Sequence, residues 1–115
     1  MGTAVEDEQL DALFTALSDR TRRDIVARLS TGEATVKELA EPYAMSIQAV
    51  SQHIRVLERS GLISQGRHRQ TRPCRLEPAA LEAALSWIEE SRRTWSERMD
   101  RLETHLAGLQ ERKDR

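Results

Sequence analysis

Gln48 and Gln52 stand one helical turn apart, in a stretch that also carries Ser46, Ser51, His53, Arg55 and Arg59. None of these side chains forms a catalytic arrangement with its neighbours. Amides at this spacing instead suit recognition, because each presents a paired donor and acceptor to a planar edge. In the major groove of duplex DNA, Gln can pair bidentately with N6 and N7 of adenine, while Arg and Ser serve phosphates or base edges. Ala49 belongs to the same candidate DNA-binding stretch. Farther on, Arg67, His68, Arg69 and Arg72 crowd into six positions. The formal net charge of the 115 residues is −1, but that sum hides the distribution. Residues 1–45 hold nine acids and five bases, a balance of −4. Residues 46–75 hold six arginines against Glu58 alone, a balance of +5, and residues 76–115 return to −2. A basic patch on an acidic body is the electrostatic footprint of a nucleic-acid reader. A solvated surface run of charge is the other reading of the same numbers.

Other chemistry finds little support. No Ser-His-Asp arrangement and no phosphate-cradling glycine loop is legible, and the five glycines are scattered. The chain therefore reads as a non-enzyme. His105 stands without the histidines or cysteines that a tetrahedral zinc site needs, so neither metal nor cofactor is expected. The single cysteine, Cys74, excludes an intramolecular disulfide and suits a reducing compartment. Its basic neighbours would favour a reactive thiolate, whereas a place inside a strand would make it an inert core residue. Met1 to Asp11 lack the pattern of a secretory signal, and no apolar run is long enough to span a bilayer. A cytoplasmic protein without membrane partners is expected.

The elements that must position these residues follow from periodicity. Residues 8–17 place Leu10, Leu13, Phe14 and Leu17 on one face of a first helix. A second, capped by Ser18 or Asp19, carries Ile25, Val26 and Leu29 and breaks at Thr31-Gly32-Glu33. Thr35 and Glu38 form a capping box opening a short third helix that ends near Glu41-Pro42. Ser46 caps a fourth, residues 47–59, stopped by Gly61. Its apolar positions Ile47, Val50, Ile54 and Leu57 face the core, leaving Gln48, Gln52, Arg55 and Arg59 on a polar face free of acids. Leu62–Ser64 and Arg72–Leu76 are short strands, with the basic cluster at the tip of the hairpin between them.

From Pro78 one long helix runs to about Leu109. Leu81, Leu85, Ile88, Arg92, Trp95, Met99, Leu102, Leu106 and Leu109 alternate spacings of four and three, a heptad seam broken only by Arg92. The helix would be roughly 50 Å long, more than so small a body can cover. The seam thus points to a second copy, with Leu13 and Phe14 joining the interface, and Arg92 calls for Glu89 or Glu90 of that copy or for a solvent-facing bend. The fold class is mainly α with a small β-hairpin wing. It forms one domain over 1–115, divided into a first dimerisation helix (1–17), a core (18–77) and a last dimerisation helix (78–110).

Three runs resemble the ArsR/SmtB-type repressors: Leu13 to Ile25, Met45 to Leu57, which matches the recognition helix of that family, and Glu58 to Ile63 before the wing. The similarity covers roughly residues 10–77. It implies a dimeric winged helix-turn-helix that binds double-stranded operator DNA at an inverted repeat and represses its own or adjacent genes. The metal-sensing members carry a cysteine pair before the recognition helix, where this chain has Val36 to Glu41, or Asp and His pairs on the last helix, where it has only His105. Release without a bound metal is expected, and no inducer is legible in the residues. The competing expectation is a winged-helix protein-interaction module that dimerises but leaves DNA alone.

Overall fold

A computed structural model describes residues 4–66 and 72–113. Five helices and one hairpin follow in the order α1 (Ala4–Leu17), α2 (Arg20–Leu29), α3 (Val36–Ala40), α4 (Ile47–Arg59), β1 (Ile63–Gln65), β2 (Cys74–Leu76) and α5 (Pro78–Lys113). The described residues form two compact units, one up to Ala84 and the other from Leu85 onward. Among them, no helix is long and apolar enough to cross a membrane.

Local signals set most boundaries in the first unit. Asp19 caps α2 by accepting from the Arg22 backbone N–H at 3.1 Å, and that bond holds its carboxyl below the usual range. Thr35 and Glu38 close the capping box of α3, at 3.0 and 3.2 Å. Ser46 Oγ accepts from Ala49 N–H at 3.1 Å and starts α4. At its far end Leu62 N–H donates to Leu57 O and Gly61 N–H to Glu58 O, with Gly61 at φ +85°. This is a Schellman stop, which needs a left-handed residue after the cap. A Cβ added at Gly61 would meet nothing within 4 Å, so the only cost of a side chain is conformational. Gly61→Ala should destabilise the fold by about 1–2 kcal/mol, read as a lower urea midpoint at unchanged m-value. A midpoint equal to wild type would show that the stop tolerates a side chain.

The core of this unit gathers Leu13 and Ala16 of α1, Ile25 and Leu29 of α2, Leu39 of α3, Val50, Ile54 and Leu57 of α4, Leu62 and Ile63, Cys74, and Ala80 and Ala84 of the first turns of α5. The strands pair antiparallel, Ile63 with Leu76 and Gln65 with Cys74. The second strand begins at Cys74 rather than Arg72. Pro73 precedes it with no N–H to donate, and its carbonyl accepts from Gly66 N–H at 2.8 Å. Ala34 adds a bridge to Cys74, with reciprocal bonds of 3.2 and 2.7 Å, and so ties the approach to α3 to the wing strand.

Several expectations change. Ile47 is 53% exposed rather than in the core; it occupies the first position of α4. Leu13 is fully buried in its own unit, so it has no surface to offer a second copy, whereas Phe14 beside it is 37% exposed. Leu81 packs half-buried against the same core, so only part of its surface is left for a second copy. In the second unit, Arg92 Nη2 donates to Glu89 Oε2 of the same helix at 3.0 Å. Glu89 is one of the two acids expected to answer Arg92, but it does so from within the same helix, as an i,i+3 neighbour, rather than from another subunit.

Candidate nucleic-acid interface

Helix α4 is divided by burial. Val50, Ile54 and Leu57 point inward, and Gln48, Gln52, Arg55 and Arg59 are exposed on the side away from them. Helix α3, a turn and α4 thus form a helix-turn-helix whose second helix offers two amides and two guanidiniums to solvent. Ala49, Ser51 and His53 are half-buried at the margins of that face, and Ser46 sits exposed at its start. Ser51 and Arg55 line a cleft of about 310 Å³ together with Val36, Ile54, Glu58, Gln65 and Arg72. The cleft brings the recognition helix and the base of the wing into one place. Glu58 places one carboxylate in it, an acid at the edge of an otherwise acid-free surface. Arg67 and Arg69, expected at the wing tip, lie outside the described residues.

His53 is placed differently from the other predicted contacts. Its Nδ1 lies 3.2 Å from Arg22 Nη1 and 3.8 Å from Asp19 Oδ2, so the ring is turned toward the start of α2. The same guanidinium donates from Nε to Ala16 O at 2.7 Å and from Nη2 to Thr15 O at 3.2 Å. These carbonyls lie in the last turn of α1, where i+4 partners run out; Thr15 O also accepts from the Ser18 backbone N–H at 3.2 Å and from the Ser18 hydroxyl at 2.6 Å. Arg22 therefore joins α1, α2 and the recognition helix through one planar group. Nothing in its local spacing announces this role; only the sequence order of three helices converging on one site does.

A second arginine holds the turn of the motif. Arg28 donates to Leu39 O at 2.8 Å and to Glu38 O at 3.1 Å, capping the end of α3. Its guanidinium carbon sits 5.6 Å from the Tyr43 ring centroid, within range of a cation–π contact. The Tyr43 hydroxyl donates in turn to Asp24 Oδ2. Burial, with the adjacent Asp24 carboxylate, raises the phenol above its usual pKa, so it stays a donor. Asp24 and Arg28, one turn apart on α2, thus grip the segment that sets the angle between α3 and α4. Sequence reading passed over all three residues.

Cys74 is fully buried. Burial first, and the Glu58 carboxylate second, push its thiol up to about 11. Nucleophilic or redox chemistry requires the thiolate, so of the two readings left open by the sequence the inert core residue is the one the geometry supports. Among the described residues no group of three or more His, Cys, Asp or Glu is placed to hold a metal ion.

Comparison with known proteins places this geometry. A helix-turn-helix domain family matches residues 17–65, the span from the end of α1 to the first wing strand. The HTH-type transcriptional regulator Rv2034 of Mycobacterium tuberculosis is 41% identical over 73 residues, covering 64% of this chain and 68% of that protein. The transcriptional repressor SdpR of Bacillus subtilis is 30% identical over 79 residues, covering 69% of this chain and 88% of SdpR. Among solved structures, the ArsR family transcriptional regulator RHA00566 superposes with a TM-score of 0.76 at 38% identity, over 84% of this chain and 97% of that one.

Proposed function

The chain belongs to the ArsR family of winged helix-turn-helix transcriptional regulators, and from that premise we propose that it is a dimeric repressor that binds an inverted-repeat operator at its own or adjacent genes. Family and fold are those of DNA-binding regulators, not of enzymes. The observation that carries the proposal is the outward face of α4. Gln48 and Gln52 are exposed one turn apart on a helix capped at both ends, flanked by Arg55 and Arg59, with Glu58 the one acid of the helix and at the edge of that face. A helix of this kind fits the width of the major groove, and its Gln side chains have adenine as their bidentate partner. The repressor relative supports the sign of regulation, and the exposed seam of α5 supports the dimer. Two copies would then read half-sites about one helical turn, or a multiple of it, apart.

In this reading Ser46, Ser51, Arg55 and Arg72 serve the phosphates on either side of the base-reading face, and Arg67 and Arg69 extend the clamp from the wing tip. His53, with Arg22 and Asp19, orients α4 rather than touching bases. The proposal is tested by fluorescence anisotropy with the protein's own promoter against a scrambled duplex of equal length. Tight, salt-sensitive and sequence-selective binding is expected. Failure to bind the promoter at low salt would leave the protein-interaction module as the better description. Arg55→Ala and Arg72→Ala should each weaken binding to operator and scrambled DNA alike. Each should also flatten the log–log salt dependence by about 0.9 for every phosphate no longer neutralised. A salt slope unchanged in the double variant would remove the cleft between α4 and the wing from the surface that grips the DNA backbone.

A further inference from the structure

Among the described residues, the large apolar side chains left exposed fall into two groups. Seven stand along the seam of α5, from Leu85 to Leu109, with Trp87 beside it. In the first unit only Phe14, Met45 and Ile47 are exposed, at 37%, 37% and 53%. Single exposed apolar residues are ordinary on any surface. Here, however, two of the three flank one residue, the Ser46 cap of the recognition helix. Ile47 is the first residue of α4, and Gln48 beside it begins the ridge of exposed amides. A second ridge runs alongside at the same i,i+4 spacing, from Ile47 through Ser51 to Arg55. The first turn of α4 thus offers an amide and a branched apolar side chain next to each other. This is the end of a recognition helix whose residues reach base edges in the major groove.

An A·T pair supplies partners for both. In the major groove adenine presents N7 and its N6 amino group, which suit a Gln, and thymine presents O4 and the C5 methyl. No hydrogen bond can read that methyl; an apolar side chain reads it by removing both surfaces from water. Resting on the DNA reading proposed above, we propose that Ile47 packs on the C5 methyl of a thymine beside the adenine read by Gln48. The operator half-site is thereby selected for thymine at that position. A branched side chain suits the task. On helical backbone the χ1 angle of Ile47 is already restricted, so covering the methyl removes little further freedom, whereas the unbranched Met45 has more to lose. In the free protein Ile47 stands in water, and only DNA that carries the methyl offsets that exposure. The surroundings favour DNA over a protein as the occupant. A protein interface needs a wider apolar area than two side chains, and the neighbours Ser46, Gln48, Ser51 and Arg55 match a groove rimmed by phosphates.

Deoxyuridine isolates the methyl, because it keeps every hydrogen-bonding edge of thymine and lacks only that group. The full-length protein is titrated by fluorescence anisotropy with the promoter duplex that it protects from nuclease. Matching duplexes carry deoxyuridine in place of thymine at one symmetric pair of positions at a time. At one such pair wild type should lose affinity by about fifteenfold, since each methyl contributes about fourfold and two half-sites are read. Ile47→Ala should bind the thymine duplex at least that much more weakly and should no longer tell thymine from deoxyuridine there. Gln48→Ala should still tell them apart, and Ile47→Val should keep most of the discrimination. The Ile47 side chain is exposed and alanine is the better helix former, so Ile47→Ala should unfold at the wild-type temperature. Selective promoter binding by wild type that is indifferent to deoxyuridine at every position would overturn methyl reading and leave the repressor standing. An Ile47→Ala protein that keeps the wild-type response to deoxyuridine would also overturn it, and assign the methyl to another side chain. Absence of selective promoter binding would remove both readings and leave Met45 and Ile47 as a surface for a protein partner.

Discussion

Leu102→Asp is expected to shift the protein from dimer to monomer in sedimentation and to lower operator affinity by about two orders of magnitude or more. Leu102 lies in the second unit, in the middle of the seam, and nearly half of it is exposed. Burying a large apolar side chain contributes roughly 1.5–3 kcal/mol, so seven such residues per copy exceed the ordering costs of association. An aspartate in the seam removes that contribution and places a carboxylate in the apolar layer, where an unpaired charge is strongly disfavoured. The effect on DNA binding follows from linkage rather than contact. Two half-sites held by one dimer gain an effective concentration that raises avidity by about 10²–10⁴, and a monomer loses it. The core residues, all at or before Ala84, and the polar face of α4 are untouched, so thermal unfolding of the first unit should stay at its wild-type temperature. A Leu102→Asp protein that remains dimeric and binds its operator normally would show that the seam serves some other purpose than pairing subunits.

The parts of this molecule that could be read in advance share a physical property: their determinants lie within a few residues. Ser46 and Gly61 bracket α4 because a cap and a left-handed stop act on the nearest turn, and the structure places the helix at Ile47–Arg59 as periodicity indicated. The same holds for the Thr35–Glu38 box and for Pro78 opening α5. What escaped depends on partners far along the chain. Arg22 reaches His53 across 31 residues, and Arg28 reaches Leu39 across 11; neither separation leaves a period in the sequence. The exposure of Ile47 escaped for a related reason. A helical wheel places it on the apolar side, but whether that side is covered at the first position depends on what the rest of the chain brings there. Leu13 and Phe14 show the limit at finer scale: adjacent residues of similar hydropathy, one fully buried and the other partly exposed. Only the packed neighbours of α1 separate them.

These polar ties matter for the recognition face, because the side chains that read bases must be held as well as present. Arg22 fixes the end of α1 and the flank of α4 with a single group, and Arg28 with Tyr43 and Asp24 fixes the turn before it. Hydrogen bonds from charged donors contribute more than neutral ones, about 1.5–3 kcal/mol, although partial exposure of these sites lowers that figure. Their consequence for function is orientation. In a dimer, the direction of each recognition helix relative to α1 decides whether both can enter successive major grooves at once.

The double substitution Gln48→Ala with Gln52→Ala should therefore separate holding from reading. Both side chains are exposed and neither takes part in a described hydrogen bond that positions α4. Alanine is also the strongest helix former, so the helix and its caps should persist and the circular dichroism spectrum should be unchanged. If each amide makes a bidentate pair with adenine, its loss costs about 1–3 kcal/mol of discrimination. Two losses per half-site then amount to at least roughly thirtyfold in operator affinity. Binding to scrambled DNA should stay within about twofold of wild type, because Arg55, Arg59 and Arg72 still neutralise phosphates and that contribution is indifferent to sequence. The salt slope should be retained for the same reason. The expected result is thus a protein that still binds DNA but no longer tells its operator from other sequences. An equal loss of affinity on operator and scrambled duplexes would move both glutamines from base reading to backbone binding. Specificity would then have to come from elsewhere on the surface, with the cleft that joins Ser51 and Arg55 to Arg72 the next place to mutate.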